Sequence, residues 1–81
     1  MQIDEIKNKI RLLINKKFDI EDELGDSDSL IDYGLGVDSV SSLEFVVSLE
    51  KEFSVEIDES EITPDILTDI NSVAEYVAAK L

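Results

Sequence analysis

The hexapeptide Leu35-Gly36-Val37-Asp38-Ser39-Val40 sets one hydroxyl just behind a glycine and at the head of an apolar-periodic run. The glycines before it, Gly34 and Gly36, remove side-chain bulk. A helix start offers backbone N–H groups and a partial positive charge, which suit a phosphate. A phosphodiester on Ser39 would be well tolerated there. Ser39 would equally serve as an ordinary helix cap, and local chemistry alone leaves both roles open.

Little else in the chain could do chemistry. There is no histidine and no cysteine, which excludes disulfides, thiolate metal sites and the common acid/base partners. A serine nucleophile needs a neighbouring base, and no lysine or arginine occurs between Phe18 and Glu50. Carboxylates abound, but many like charges on one surface make a solvated face. Catalysis is therefore not expected. Asp26-Ser27-Asp28 suggests the start of a calcium loop. That pattern wants an oxygen ligand, a glycine and a glutamate at its fifth, sixth and twelfth positions; the chain offers Leu30, Ile31 and Val37. No metal site is expected.

The net charge is −13 over 81 residues, and it is unevenly spread. Residues 1–17 carry Asp4 and Glu5 against Lys7, Lys9, Arg11, Lys16 and Lys17, a net of +3; the remainder carries −16. Such a surface repels phosphate backbones, so nucleic acid is an improbable partner. It favours partners with basic patches. No apolar run approaches the roughly 20 residues that cross a bilayer, and the charged start does not read as a signal peptide. A single, cytoplasmic, monomeric domain is expected.

The elements that must position Ser39 follow from periodicity. Ile3, Ile6, Ile10, Leu13 and Ile14 make one helical stripe, with Leu12 off it and Phe18 packing beneath its end. From about Asp19 to Val37 an ordered loop is expected, pinned by Leu24, Leu30, Ile31, Tyr33 and Leu35, with one helical turn near Ser29–Asp32. A second helix should run from Ser39 to Phe53, capped by Asp38 or Ser39. Its apolar surface (Val40, Leu43, Val46, Val47, Leu49, Phe53) is wider than a single core-facing stripe needs, so Val40 or Val47 should face solvent or a partner. Thr63-Pro64-Asp65 reads as the start of a short helix ending near Asp69. Ser72-Val73-Ala74-Glu75 fits a capping box that opens a last helix burying Val73, Tyr76, Val77 and Leu81. The expectation is all-α: a small four-helix bundle of three longer helices and one short third helix.

The stretch GLGVDSVSSLEFVVSLEKEFSVEI resembles the second-helix region of the acyl carrier protein family, whose hallmark is Leu-Gly-x-Asp-Ser-Leu followed by an amphipathic helix. Leu35, Gly36, Asp38 and Ser39 match that hallmark. Length, acidity and the late helix extend the resemblance over nearly the whole chain. It implies that Ser39 carries 4'-phosphopantetheine taken from coenzyme A by a phosphopantetheinyl transferase, with acyl cargo held as a thioester. It also implies a second-helix face for acyl-handling partners with basic patches, onto which Asp38, Val40, Glu44 and Val47 map. Three departures stand out: Val40 in place of leucine, Ser41 where an acid is common, and Lys51 in a region usually acidic. Lys51 falls on the same broad side as Glu44 and Val47 by spacing. These departures point to a dedicated carrier in a specialised pathway such as polyketide or lipid biosynthesis. An aminoacyl or peptidyl carrier, or an unmodified helical adaptor, are the competing readings.

Overall fold

The computed structural model describes residues 2–21, 24–35, 39–63 and 65–81, apart from the side chains of Ser39 and Glu59. Among them there are three α-helices, α1 (Ile3–Lys17), α2 (Ser39–Phe53) and α3 (Ile70–Lys80). Two short 3₁₀ turns, Leu30–Tyr33 and Glu59–Glu61, interrupt the connections, and no strand occurs among the described residues.

Helix α1 forms where the apolar stripe predicts it. Asp4 and Glu5 sit in its first turn and Lys16 and Lys17 in its last, each sign matched to the helix dipole. Ile6, Ile10 and Ile14 are completely buried, whereas Leu12 is 67% exposed. Ile3, assigned to the stripe by spacing, is instead exposed: it opens the helix, a turn before the layer that α3 covers. Phe18 packs edge-on against Phe45, ring centroids 6.0 Å apart and planes at 74°, a favoured aromatic arrangement.

The core is wholly aliphatic and aromatic. Phe45, Leu49, Ile70, Val73 and Val77 join the α1 isoleucines, and no polar or charged side chain is buried among the described residues. Helix α1 packs far more extensively against α3 than against α2. Helix α2 ends at Phe53, where Ser54 takes a left-handed φ of 55°. The Val55 N–H then bonds back to the Glu50 carbonyl at 3.2 Å, the pattern that closes many helices. The Glu50 carboxylate accepts from Ile57 N–H at 3.2 Å, holding the chain's exit so that Ile57 is buried.

The connection between α1 and α2 is ordered through most of its length by three kinds of tie. Leu24, Leu30 and Leu35 are buried. Arg11 of α1 donates through Nε to the Leu24 carbonyl at 2.7 Å and pairs with the Asp26 carboxylate. From the other side, Asn71 N–H donates to the Asp26 carbonyl at 3.1 Å and Leu30 N–H to the Thr68 carbonyl at 3.0 Å. The expected helical turn near Ser29–Asp32 is the 3₁₀ turn Leu30–Tyr33, stopped by Gly34 at φ 87°. A side chain at Gly34 would meet nothing within 4 Å; glycine is favoured there by the backbone angle alone.

Two expectations about the last third of the chain need correction. Residues 65–69 form turns and bends rather than a short helix; Pro64, expected at its first position, lies outside the described residues. The Thr68 carbonyl, which could have continued a helix, accepts from Leu30 instead. Helix α3 also starts earlier than the Ser72 capping box suggests. Asp69, fully extended, is its cap, and the Asp69 carboxylate accepts from Ser72 N–H at 2.8 Å. Ser72 thus occupies the third helical position and Ile70 the first, where it is completely buried. Leu81, expected in the core, follows the helix end and is exposed.

Tyr76 turns its ring toward the core and its hydroxyl outward. The hydroxyl donates to Glu61 Oε2 at 2.7 Å. Lys80 pairs with the same oxygen at 2.7 Å and lies 5.6 Å over the Tyr76 ring centroid. The Lys80 ammonium and the Tyr76 hydroxyl hold Glu61 below the usual carboxylate range. Desolvation and then the Glu61 bond push Tyr76 up, and the Glu61 bond pushes Lys80 up. This cluster ties the Glu59–Glu61 turn to α3.

Two outcomes follow. Arg11→Met keeps most of the apolar stem but removes the loop's donor and its charge partner. It should destabilise the fold by about 2 kcal/mol and raise amide exchange across residues 24–35; a melt and an exchange experiment that both match wild type would refute the role given to Arg11. Glu61→Gln should lower the melting temperature near neutral pH. Because the folded-state pKa of Glu61 is depressed, its contribution is present above the ordinary carboxylate range and is lost as pH falls through the folded value. The gap between variant and wild type should therefore shrink in acid, which a pair of melting curves against pH reads directly.

Candidate functional site

Ser39 is the first residue of α2, as its position behind the glycines predicts. Gly36, Val37 and Asp38 lie outside the described residues, so the placement of Asp38 as cap or partner contact rests on the sequence alone. Leu35, the last described residue before them, is buried, and its N–H bonds to the Leu30 carbonyl at 3.1 Å. The approach to Ser39 is therefore anchored in the core one short step upstream. Downstream, Phe45, Val46, Leu49 and Phe53 anchor α2 itself.

The opposite side of α2 faces outward. Val40 is 66% exposed, Leu43 44% and Val47 38%, while Glu44 and Lys51 are exposed as well. Positions 40, 44, 47 and 51 recur at helical spacing, so they share one strip, with Leu43 beside it. The sequence-derived set Val40, Glu44, Val47 and Lys51 is thus brought onto one surface leading from Ser39. By spacing alone Leu43 belongs to a wide apolar surface and has no partner role. Its place between Val40 and Val47, three and four residues away, was the available signal. Phe45 escaped the core set altogether, although the same spacing puts it opposite that strip.

Leu43, Glu44 and Val47 border a shallow groove of about 370 Å³, closed on its far side by Lys17 and Phe18 of the α1 end. Ser48 completes it, with its hydroxyl turned inward to donate to the Glu44 carbonyl at 2.9 Å. The arrangement combines a small apolar contact area with one acid and one base at its edges. It suits recognition by a protein and contains no nucleophile–base pair. No group of histidine, cysteine or carboxylate side chains among the described residues is placed to hold a metal ion. No helix among them is long and apolar enough to cross a membrane.

The head of α2 fits a phosphate-bearing substituent. Its first turn contains no acidic side chain, in contrast to α1 with Asp4 and Glu5. No carboxylate within that turn would repel a phosphodiester on its leading residue, and the positive end of the helix dipole lies beside it.

Comparison with known proteins agrees with this geometry. The family described as "Phosphopantetheine attachment site" matches residues 8–79, from the middle of α1 to the last turn of α3. The acyl carrier protein of Thermotoga maritima is 28% identical over 79 residues, covering 96% of this chain and 94% of that protein. The acyl carrier protein of Cyanidium caldarium is 27% identical over 78 residues, covering 96% and 88%. The attachment-site match indicates a covalently bound 4'-phosphopantetheine group, and proteins of this kind carry cargo without catalysing its conversion. With a family match over most of its length, and with all-helical architecture and relatives in agreement, the chain belongs to the acyl carrier protein family.

Proposed function

We propose that Ser39 is the attachment point of 4'-phosphopantetheine, and that the thiol of this arm carries acyl intermediates as thioesters to enzymes of fatty-acid, polyketide or related lipid biosynthesis. The observation that carries the reading is the position of Ser39: the serine of the Leu35-Gly36-x-Asp38-Ser39 motif is also the first residue of α2. On a phosphopantetheinyl transferase the hydroxyl there would lose its proton and attack the pantetheine-side phosphate of coenzyme A, forming the phosphodiester as the pyrophosphate bond breaks and adenosine 3',5'-bisphosphate leaves. The arm would then stand at one end of the exposed α2 strip, so an enzyme docked on the strip has the thioester within its reach. Acyl cargo is favoured by both relatives being acyl carrier proteins.

The partner surface comprises Asp38, Val40, Glu44, Val47 and Lys51. Glu44 offers a charge to arginine or lysine, Val40 and Val47 offer apolar contact, and Lys51 sets this chain apart from a uniformly acidic face. That mixture supports a carrier dedicated to a specialised pathway; its proposed form is a single-domain cytoplasmic monomer. Aliphatic side chains fill most of the core, and burying each methylene of a cargo chain among them would contribute roughly 0.8 kcal/mol.

Incubation with coenzyme A and a phosphopantetheinyl transferase should add one phosphopantetheine to the wild type and none to Ser39→Ala. The variant should remain folded, losing about 1 kcal/mol if the hydroxyl also caps α2. A modified Ser41 or Ser42, in place of Ser39, would overturn the assignment.

The partner surface has its own test. Charge at an exposed rim acts mainly on association rate. Glu44→Lys should slow loading by a basic partner enzyme and flatten the dependence of that rate on salt, with the melting temperature unchanged. Equal rates for variant and wild type across a salt series would place the docking surface elsewhere.

A further inference from the structure

Beside the α2 strip lies a second, larger groove of about 740 Å³, between the outer side of α1 and the late turns of α2. Lys9, Lys16 and Lys17 come to it from α1 and Lys51 from α2, with Glu52 the one acid in its lining. The lining therefore carries +3 in a chain whose total is −13; the remaining surface carries −16. Among the described residues none of these four lysines forms an ion pair, whereas Lys7 and Arg11 are both committed to Asp26. Leu12 sits in the same groove and is 67% exposed. Asn15 lines it too, and its side-chain oxygen is buried with no hydrogen-bond partner among the described residues.

We infer that this groove is a second docking surface, one that takes an acidic segment of the enzyme partner engaging α2. The inference rests on the reading of α2 as the docking helix, and it adds an opposite-signed contact next to that face. Continuity supports it: Lys17 and Ser48 line both grooves, so a partner seated against Leu43 and Val47 meets the lysines by extending past Ser48. Charge complementarity fixes the chemistry of the segment as glutamate- or aspartate-rich with one apolar residue for Leu12. A second copy of the chain fits poorly: outside this groove its described basic residues Lys7, Arg11 and Lys80 are each paired with a carboxylate, so it offers no basic patch to engage the α2 strip at the same time. An anionic membrane fits poorly as well, because the surface is a concave groove with a single exposed leucine rather than a broad apolar face. A basic α2-facing patch and an acidic segment on one enzyme would also select this carrier against uniformly acidic ones, since those would place an acid opposite the segment.

Titration of the isotopically labelled full chain reads the inference directly. A short peptide of glutamates around one leucine should shift the amides of Lys9, Leu12, Lys16, Ser48 and Lys51. Lys9→Glu with Lys16→Glu should weaken that response by about tenfold or more; Lys51→Glu alone should weaken it less. All three sites are on the surface, and a melting curve for each variant establishes that it is folded. The same peptide with lysine in place of glutamate should shift Val40, Glu44 and Val47 in the wild type and in the Lys9→Glu, Lys16→Glu variant alike. Transferase modification of Ser39 should also proceed in that variant. Failure of the lysine peptide or of modification counts against the carrier reading, while failure confined to the glutamate peptide counts against the groove. Groove amides that stay still with the glutamate peptide overturn the inference. So do groove amides that respond instead to phosphatidylglycerol vesicles, or to the concentration of the chain itself.

Discussion

Arg11 holds the molecule's working end in place. Its guanidinium reaches from the surface of α1 to a backbone carbonyl and a carboxylate of the connection to α2. Asp26, so gripped, offers its own carbonyl to the start of α3. One loop residue is thereby clamped between the first and last helices. Without that clamp, three leucines would have to order a long connection by burial alone, against the conformational entropy of every residue in it. With it, Leu35 arrives in the core at a fixed place, and the serine a few residues later opens α2 at a fixed place too. Electrostatics does here what an aliphatic core is not equipped to do: it selects one loop arrangement among many of similar apolar burial.

The charge distribution gains meaning from the same geometry. The basic residues cluster in α1, and there they divide. Lys7 and Arg11 turn toward the loop and are consumed in structure; Lys9, Lys16 and Lys17 turn toward α2, where Lys51 joins them. Summing charge along the chain separates a basic beginning from an acidic remainder. It does not say that two of the five basic residues of α1 are internal bracing and the other three lie beside the α2 surface.

How far the sequence could be read depends on the physics behind each element. Helical stripes and the α2 boundaries were legible because periodic burial is local and repeats: Ile6, Ile10 and Ile14 lie where spacing puts them, and α2 runs from Ser39 to Phe53. The turn at Leu30–Tyr33 was legible, one residue out of place, as the turn expected near Ser29–Asp32. Helix caps were less so. Asp69 and Ser72 are both good cap formers, and the choice fell to Asp69 because Ile70 can then be buried, a tertiary fact. Residues 65–69 carried a credible start signal but spend the Thr68 carbonyl on Leu30, thirty-eight positions earlier in the chain. The Arg11 clamp, across 13 and 15 positions, left no local pattern at all. At the site, the strip on α2 followed from spacing, whereas the neighbouring lysine groove requires two helices to be brought together before it exists.

A core in which no described polar or charged residue is buried also bears on descent. Exchanging one aliphatic residue for another of similar volume usually costs less than about 1.5 kcal/mol, and no hydrogen-bond network inside this core would veto the exchange. Such an interior can drift through many sequences while keeping its three helices. Identity of 27–28% with relatives that cover nearly the full chain is what that freedom permits, and it moves the burden of individuality outward. What tells one such carrier from another is then written on the surface, in a few charges whose loss would leave the fold untouched.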